Sequence, residues 1–85
     1  MNKITVVLAD DHSILRAGLK LLLESQNDIE VVAEAENGTQ AVEACSKFKP
    51  NILILDISMP EGSGLPVIDK IKYDSPGTKT IVLTM

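Results

Sequence analysis

The run Ile52-Leu53-Ile54-Leu55-Asp56, followed at once by Ile57-Ser58-Met59-Pro60, places the tightest constraint on how this 85-residue chain can fold. Four consecutive aliphatic residues predict a short strand buried on both faces, because a half-exposed strand alternates apolar with polar side chains. Strands of that kind belong to parallel sheets. A run that ends on a carboxylate is costly unless the acid emerges at the carboxyl edge of the sheet, where open α/β folds place their ligands. Asp56 is therefore the first candidate functional residue. Pro60, Gly62 and Gly64 then stop the strand and provide a loop beside the acid.

A second nearly continuous apolar run, Ile4 to Ala9, also ends on acids, Asp10 and Asp11. From Ser13 the period becomes helical, with Leu15, Leu19, Leu22 and Leu23 on one stripe, and predicts a first helix from Ser13 to Ser25 capped by Ser13 or Asp11. Ile14, Ala17 and Leu21 widen its apolar surface beyond one stripe, which implies a further contact. Ile29 to Glu34 mixes β-branched residues with glutamates, as suits an edge strand. Asn37-Gly38 opens a second helix, with Ala41, Ala44, Cys45 and Phe48 inward and Pro50 at its end. A third helix carries Leu65, Pro66, Ile68 and Ile71 and closes at Ser75-Pro76-Gly77, before a fourth strand, Lys79 to Thr84.

Strict alternation of strand and helix predicts an α/β fold with a parallel sheet and right-handed crossovers. For Asp10 and Asp11 to meet Asp56, strands one and three must be neighbours, with strand two outside one and strand four outside three. The expected order is 2-1-3-4. Helix one then covers one face, helices two and three cover the other, and the carboxylates lie where the winding reverses.

Three aspartates on one edge repel one another and raise each other's pKa unless a cation shares them. A hard divalent ion fits oxygen donors: Mg2+ is commonly held by one or two carboxylates together with phosphate oxygens. Thiolate and imidazole metals are disfavoured, since Cys45 falls in a helical stripe as a buried thiol and His12 is the lone histidine. With the charge screened, Asp56 can act as a carboxylate nucleophile toward a phosphoryl group. Each residue also has an ordinary explanation. Aspartates at a helix start cap it, Asp56 suits a turn, Thr84 is a strand former, His12 is expected to be solvated, and Glu34 and Glu36 suit a solvated edge. Convergence at the ends of the two most buried strands favours a site.

Net charge of -4 argues against this segment gripping nucleic acid or an anionic membrane. With no apolar run near the ~20 residues of a span and no signal-like start, a cytoplasmic location is expected. The single cysteine fits a reducing compartment.

Leu8-Ala9-Asp10-Asp11-His12, Arg16-Ala17-Gly18-Leu19, Asp56-Ile57-Ser58-Met59-Pro60, Gly62-Ser63-Gly64-Leu65 and Ile81-Val82-Leu83-Thr84-Met85 together resemble a response-regulator receiver domain. The Asp-Asp-His start with Arg-x-Gly is similar to the NarL/FixJ subfamily of two-component signalling, whose members usually carry a LuxR-type helix-turn-helix output domain. The resemblance spans residues 1-85 and implies a flavodoxin-like doubly wound sheet, incomplete at the C-terminus, without the fifth strand and the fourth and fifth helices of a full receiver. It implies that Asp56 is the phospho-acceptor, that Asp10, Asp11 and Asp56 with the Ser58 backbone carbonyl hold Mg2+, and that Thr84 is the switch hydroxyl. A sensor histidine kinase is the implied phosphoryl source, DNA is reached through a domain outside this segment, and a homo-oligomer is expected. No catalysis is implied beyond self-phosphorylation and self-dephosphorylation at Asp56.

Three rival readings meet the same residues. A haloacid-dehalogenase-type phosphatase wants a second aspartate two residues after the first, where this chain has Ser58. A dinucleotide fold wants Gly-x-Gly-x-x-Gly after strand one, and Ala9 to Gly18 contains none. A phosphorylation-incompetent interaction or dimerisation module differs from the receiver in one testable respect, since it has no reason to bind Mg2+.

Overall fold

The structure, a computed structural model, describes residues 3–59 and 65–83. Seven elements alternate along the chain: β1 (Ile4–Ala9), α1 (Ser13–Glu24), β2 (Ile29–Ala35), α2 (Gly38–Phe48), β3 (Ile52–Asp56), α3 (Leu65–Asp74) and β4 (Lys79–Leu83). All strand pairs are parallel and the sheet order is β2-β1-β3-β4, as expected from the sequence. Pro60, Gly62, Gly64, Thr84 and Met85 lie outside the described residues.

Period-two alternation divides each central strand between two layers. Val7 and Ala9 of β1 and Leu53 and Leu55 of β3 join Ala35, Ala41, Cys45, Met59, Val67 and Ile71 in one core beneath α2 and α3. The intervening Val6 and Leu8 are equally buried on the opposite face, where α1 packs over β1 and β2. Each fully buried aliphatic contributes ~1.5–3 kcal/mol of transfer free energy, which is why two runs of aliphatic residues suffice to organise so short a chain.

The helices depart from expectation in two places. In α1 the N-cap is His12, whose side chain makes no capping bond, so neither Ser13 nor Asp11 serves there. Leu22, expected on the inward stripe, is exposed together with Ile14 and Leu21, and no residue of α1 is fully buried. The reason is geometric: Leu15, Leu19 and Leu23 already span the line of contact, and Leu22 falls beyond it. In α2, Ala41 and Cys45 point inward as expected, whereas Phe48 at the last turn is 45% exposed, with Lys47 Nζ 5.3 Å from its ring centre. Asn37 caps α2 by accepting a 2.9 Å hydrogen bond from the Gln40 backbone N–H. Lys49 ends it at φ 46°, a left-handed conformation, with its ammonium donating to the carbonyls of Ser46 and Asp74.

Polar bonds lace the amino edge of the sheet. Thr5 and Asn51 bond reciprocally, the Thr5 N–H to Asn51 Oδ1 at 2.9 Å and the Asn51 N–H to Thr5 Oγ1 at 3.0 Å. The Lys79 N–H donates to the Asn51 carbonyl, and the buried Thr78 hydroxyl donates to the carbonyl of Pro50. At the other edge the register pairs Ala9 with both Ala35 and Leu55, so β1, β2 and β3 end flush. A bulge makes this possible: Val6 pairs with Val31 and Val7 with Ala33, which leaves Val32 as the extra residue of β2.

Candidate metal and phosphoryl site

Flush strand ends put Asp10, one residue past β1, beside Asp56, the last residue of β3. Both are almost completely buried, while Asp11 and His12 stand at the rim. One ligand atom from each of Asp10, Asp11, His12 and Asp56 lies within 4.8 Å of all the others. Three of the expected site residues are thus brought together, and Ser58 joins them through hydrogen bonds to Asp56. Thr84 falls outside the described residues.

The acids are oriented by their neighbours. Asp56 Oδ1 accepts both the Ser58 N–H, at 2.9 Å, and the Ser58 hydroxyl, at 2.7 Å. Asp10 Oδ1 accepts the His12 backbone N–H at 2.8 Å, and the Asp10 N–H is anchored on the Ala35 carbonyl. The second oxygens, Asp10 Oδ2 and Asp56 Oδ2, are buried without a hydrogen-bond partner. Orphaned buried carboxylate oxygens are rare. Two of them facing a third aspartate form a donor set that fits a hard cation with oxygen preference.

His12 is the residue whose role the sequence obscured. Its Nδ1 lies 2.8 Å from Asp10 Oδ1, 3.2 Å from Asp11 Oδ1 and 3.4 Å from Asp56 Oδ2. Carboxylates only accept, so Nδ1 carries the proton. The hydrogen bond to Asp10 and then the charge of Asp11 hold the imidazole above its ordinary value of 6.5, against a smaller effect of desolvation. Its position at the helix start suggests a solvated residue. The side chain is indeed 55% exposed, while its Nδ1 edge sits against the three acids.

Mutual repulsion is also expected to raise the acids. For Asp56, burial does push the carboxyl up, yet the Ser58 N–H and hydroxyl and, beyond them, the nearby His12 ring outweigh it, and Asp56 sits below its ordinary value. Hydrogen bonds to the ionised form win over burial here because two of them fall on one oxygen.

Arg16 enters the sequence reading through its Arg-x-Gly spacing alone, with no role attached. The side chain is only 14% exposed, and its guanidinium donates to the Asp10 carbonyl and, at 3.0 Å, to Glu34 Oε1. Glu36 lies 3.6 Å away and Lys20 pairs with Glu34 at the same distance. Glu34 and Glu36 are therefore charge partners of α1 and not merely a solvated edge. The signal in the sequence is that this is the chain's one arginine, set within an apolar helical stripe.

Comparison with known proteins agrees with this geometry. Residues 6–85 match the family described as the response regulator receiver domain. The chain is 46% identical over 81 residues to the oxygen regulatory protein NreC of Staphylococcus aureus, covering 94% of this chain and 37% of that protein. Among solved structures it is similar to the signal receiver domain of the putative response regulator NarL from Mycobacterium tuberculosis, with TM-score 0.92 and 28% identity over 99% of this chain and 68% of that one. It is also similar to RcsB from Salmonella enterica serovar Typhimurium bound to promoter rprA in the presence of the phosphomimetic BeF3-. There the TM-score is 0.88 with 38% identity, over 99% of this chain and 43% of that chain.

Proposed function

Because the chain belongs to the response regulator receiver family, we propose that it is a phospho-acceptor switch that takes a phosphoryl group onto Asp56. The observation that carries this reading is Asp56 Oδ2, a buried carboxylate oxygen without a hydrogen-bond partner, beside two further aspartates at the carboxyl edge of the sheet.

Asp10, Asp11 and Asp56, with the Ser58 backbone carbonyl, are the residues that would hold Mg2+, and the ion when bound supplies positive charge against the phosphoryl oxygens. The protein's own groups do the rest. Ser58 fixes the Asp56 carboxylate through Oδ1 and lowers its pKa, so the group is ionised at neutral pH. Oδ2 attacks phosphorus and forms the new O–P bond, while the donor's bond to phosphorus breaks and its electron pair leaves with the donor. The Thr84 hydroxyl is proposed to meet the phosphorylated state as its switch residue.

The chain spans 37% of the length of the curated relative described above. We therefore propose that residues 1-85 form the receiver portion of a longer transcriptional regulator, with a sensor histidine kinase as phosphoryl source and DNA contacted through a C-terminal helix-turn-helix domain. Intact-mass spectrometry after incubation with a small acyl phosphate and Mg2+ tests the acceptor. One acid-labile phosphoryl group is expected, lost in Asp56→Asn; the same mass gain in that variant would remove Asp56 from the role.

A further inference from the structure

Arg16 is the fourth residue of α1, and its backbone N–H closes the first helical turn on the His12 carbonyl at 2.8 Å. Its side chain reaches back over that turn to the Asp10 carbonyl, and its other nitrogens face Glu34 at 3.0 Å and Glu36 at 3.6 Å. The planar fork of a guanidinium can serve several acceptors at fixed angles, which a lysine ammonium cannot. The junction thus ties the start of α1 to the ends of β1 and β2.

The Asp10 carbonyl belongs to the peptide that joins Asp10 to Asp11. Holding it fixes the plane of that peptide and the direction in which the Asp11 side chain departs. The two acids differ in how much other restraint they have. The Asp10 carboxylate is buried and accepts the His12 N–H. The Asp11 side chain is 32% exposed, and its carboxylate meets only the His12 ring among the described residues. Orientation of the backbone at Asp11 therefore matters most. The charge of Arg16 is itself met by Glu34 and Glu36, so the residue acts on the aspartates through geometry more than by lending them positive charge.

We propose that Arg16 is a positioning residue of the acid site, holding the Asp10–Asp11 peptide so that the Asp11 carboxylate is preset for a divalent cation. The inference rests on the Mg2+ reading given above, and one calorimetric series separates the two. Mg2+ is titrated into the wild type, Arg16→Met, Arg16→Lys, Asp11→Ala and the Arg16→Met/Asp11→Ala double variant, with folding of each checked by circular dichroism. Supporting partners of metal ligands are typically worth about 10- to 100-fold in affinity. Arg16→Met is expected to weaken Mg2+ binding by about 10-fold or more, and Arg16→Lys to recover little of it. With Asp11 already removed, Arg16→Met should cause no further loss, because its effect passes through that residue. Wild-type affinity in Arg16→Met, or losses that multiply in the double variant, would overturn the inference alone. A wild type that binds no Mg2+ would overturn the metal reading and this inference with it. If Arg16→Met does not fold, Glu34→Gln, which leaves every proposed ligand in place, must show a weaker loss of the same kind; unchanged affinity there counts against the proposal.

Discussion

The Ser58 hydroxyl donates to Asp56 Oδ1, the same oxygen that accepts the Ser58 backbone N–H, so both bonds restrain one side of the carboxylate. The other oxygen is left facing Asp10 and His12. A residue two positions along the chain thus decides which oxygen of the acid is committed to structure and which remains for chemistry.

Ser58→Ala removes the hydroxyl and keeps the N–H. Asp56 lies below its ordinary value in the folded state, so it contributes stability above its unfolded pKa and loses that contribution as pH falls through the folded pKa. Without the Ser58 hydroxyl the folded pKa rises, and the contribution at neutral pH shrinks by about 1.5–3 kcal/mol, the usual size of one hydrogen bond to a charged group. Urea unfolding should show the variant less stable at pH 7, with the difference closing below pH ~4. An undiminished difference at low pH would mean that the hydroxyl acts through packing.

Cys45 is fully buried, and desolvation pushes its thiol from 9.0 up to about 11. A raised folded pKa contributes stability that is complete below the unfolded value and is lost as pH rises through the folded one. The window is therefore pH 9 to 11, and a rise of that size corresponds to about 3 kcal/mol. Cys45→Ala should flatten the alkaline decline of stability across that window. The native thiol should also resist iodoacetamide at pH ~8 and react once the chain is unfolded, and rapid native alkylation would show that the α2 layer opens readily.

Leu53 is fully buried in the core beneath α2 and α3. Leu53→Ala is expected to cost about 2–5 kcal/mol, against ~5–15 kcal/mol for a whole domain. Thermal unfolding followed by circular dichroism measures it. A loss under about 1 kcal/mol would show that neighbouring side chains collapse into the vacated space.

Ile14, Leu21 and Leu22 stand 89%, 75% and 68% exposed on α1, and Ile81 and Val82 are exposed on β4, which pairs only with β3 among the described residues. Covering ~100 Å² of such surface stabilises by about 2.5 kcal/mol. Self-association of this chain through α1 is expected, with light scattering showing a mass that falls on dilution and a Leu21→Glu/Leu22→Glu variant that stays monomeric. A wild type that is monomeric and stable at every concentration would show that neither surface needs a partner.

The fold was legible because the aliphatic runs before Asp10 and at Ile52 to Leu55 admit few alternatives to central parallel strands, and because two strands ending on acids fix which strands are neighbours. The acid site followed from the same fact. What was hidden depended on side-chain direction. Nothing in local spacing says that His12 Nδ1 meets three carboxylates or that Arg16 reaches a carbonyl six residues back. The placement of Leu22 was missed for a related reason: a helix with apolar residues on most of its surface leaves its contact line to be set by the sheet beneath it.

Asn51 meets Thr5 of β1 and, through its carbonyl, the amide of Lys79 in β4, while β3, which begins at the next residue, runs between them. Three of the four strands are therefore fastened at the end where no chemistry is proposed. Forces developed at the aspartates therefore act on strands pinned in register at their far end, which opposes any slip of one past another.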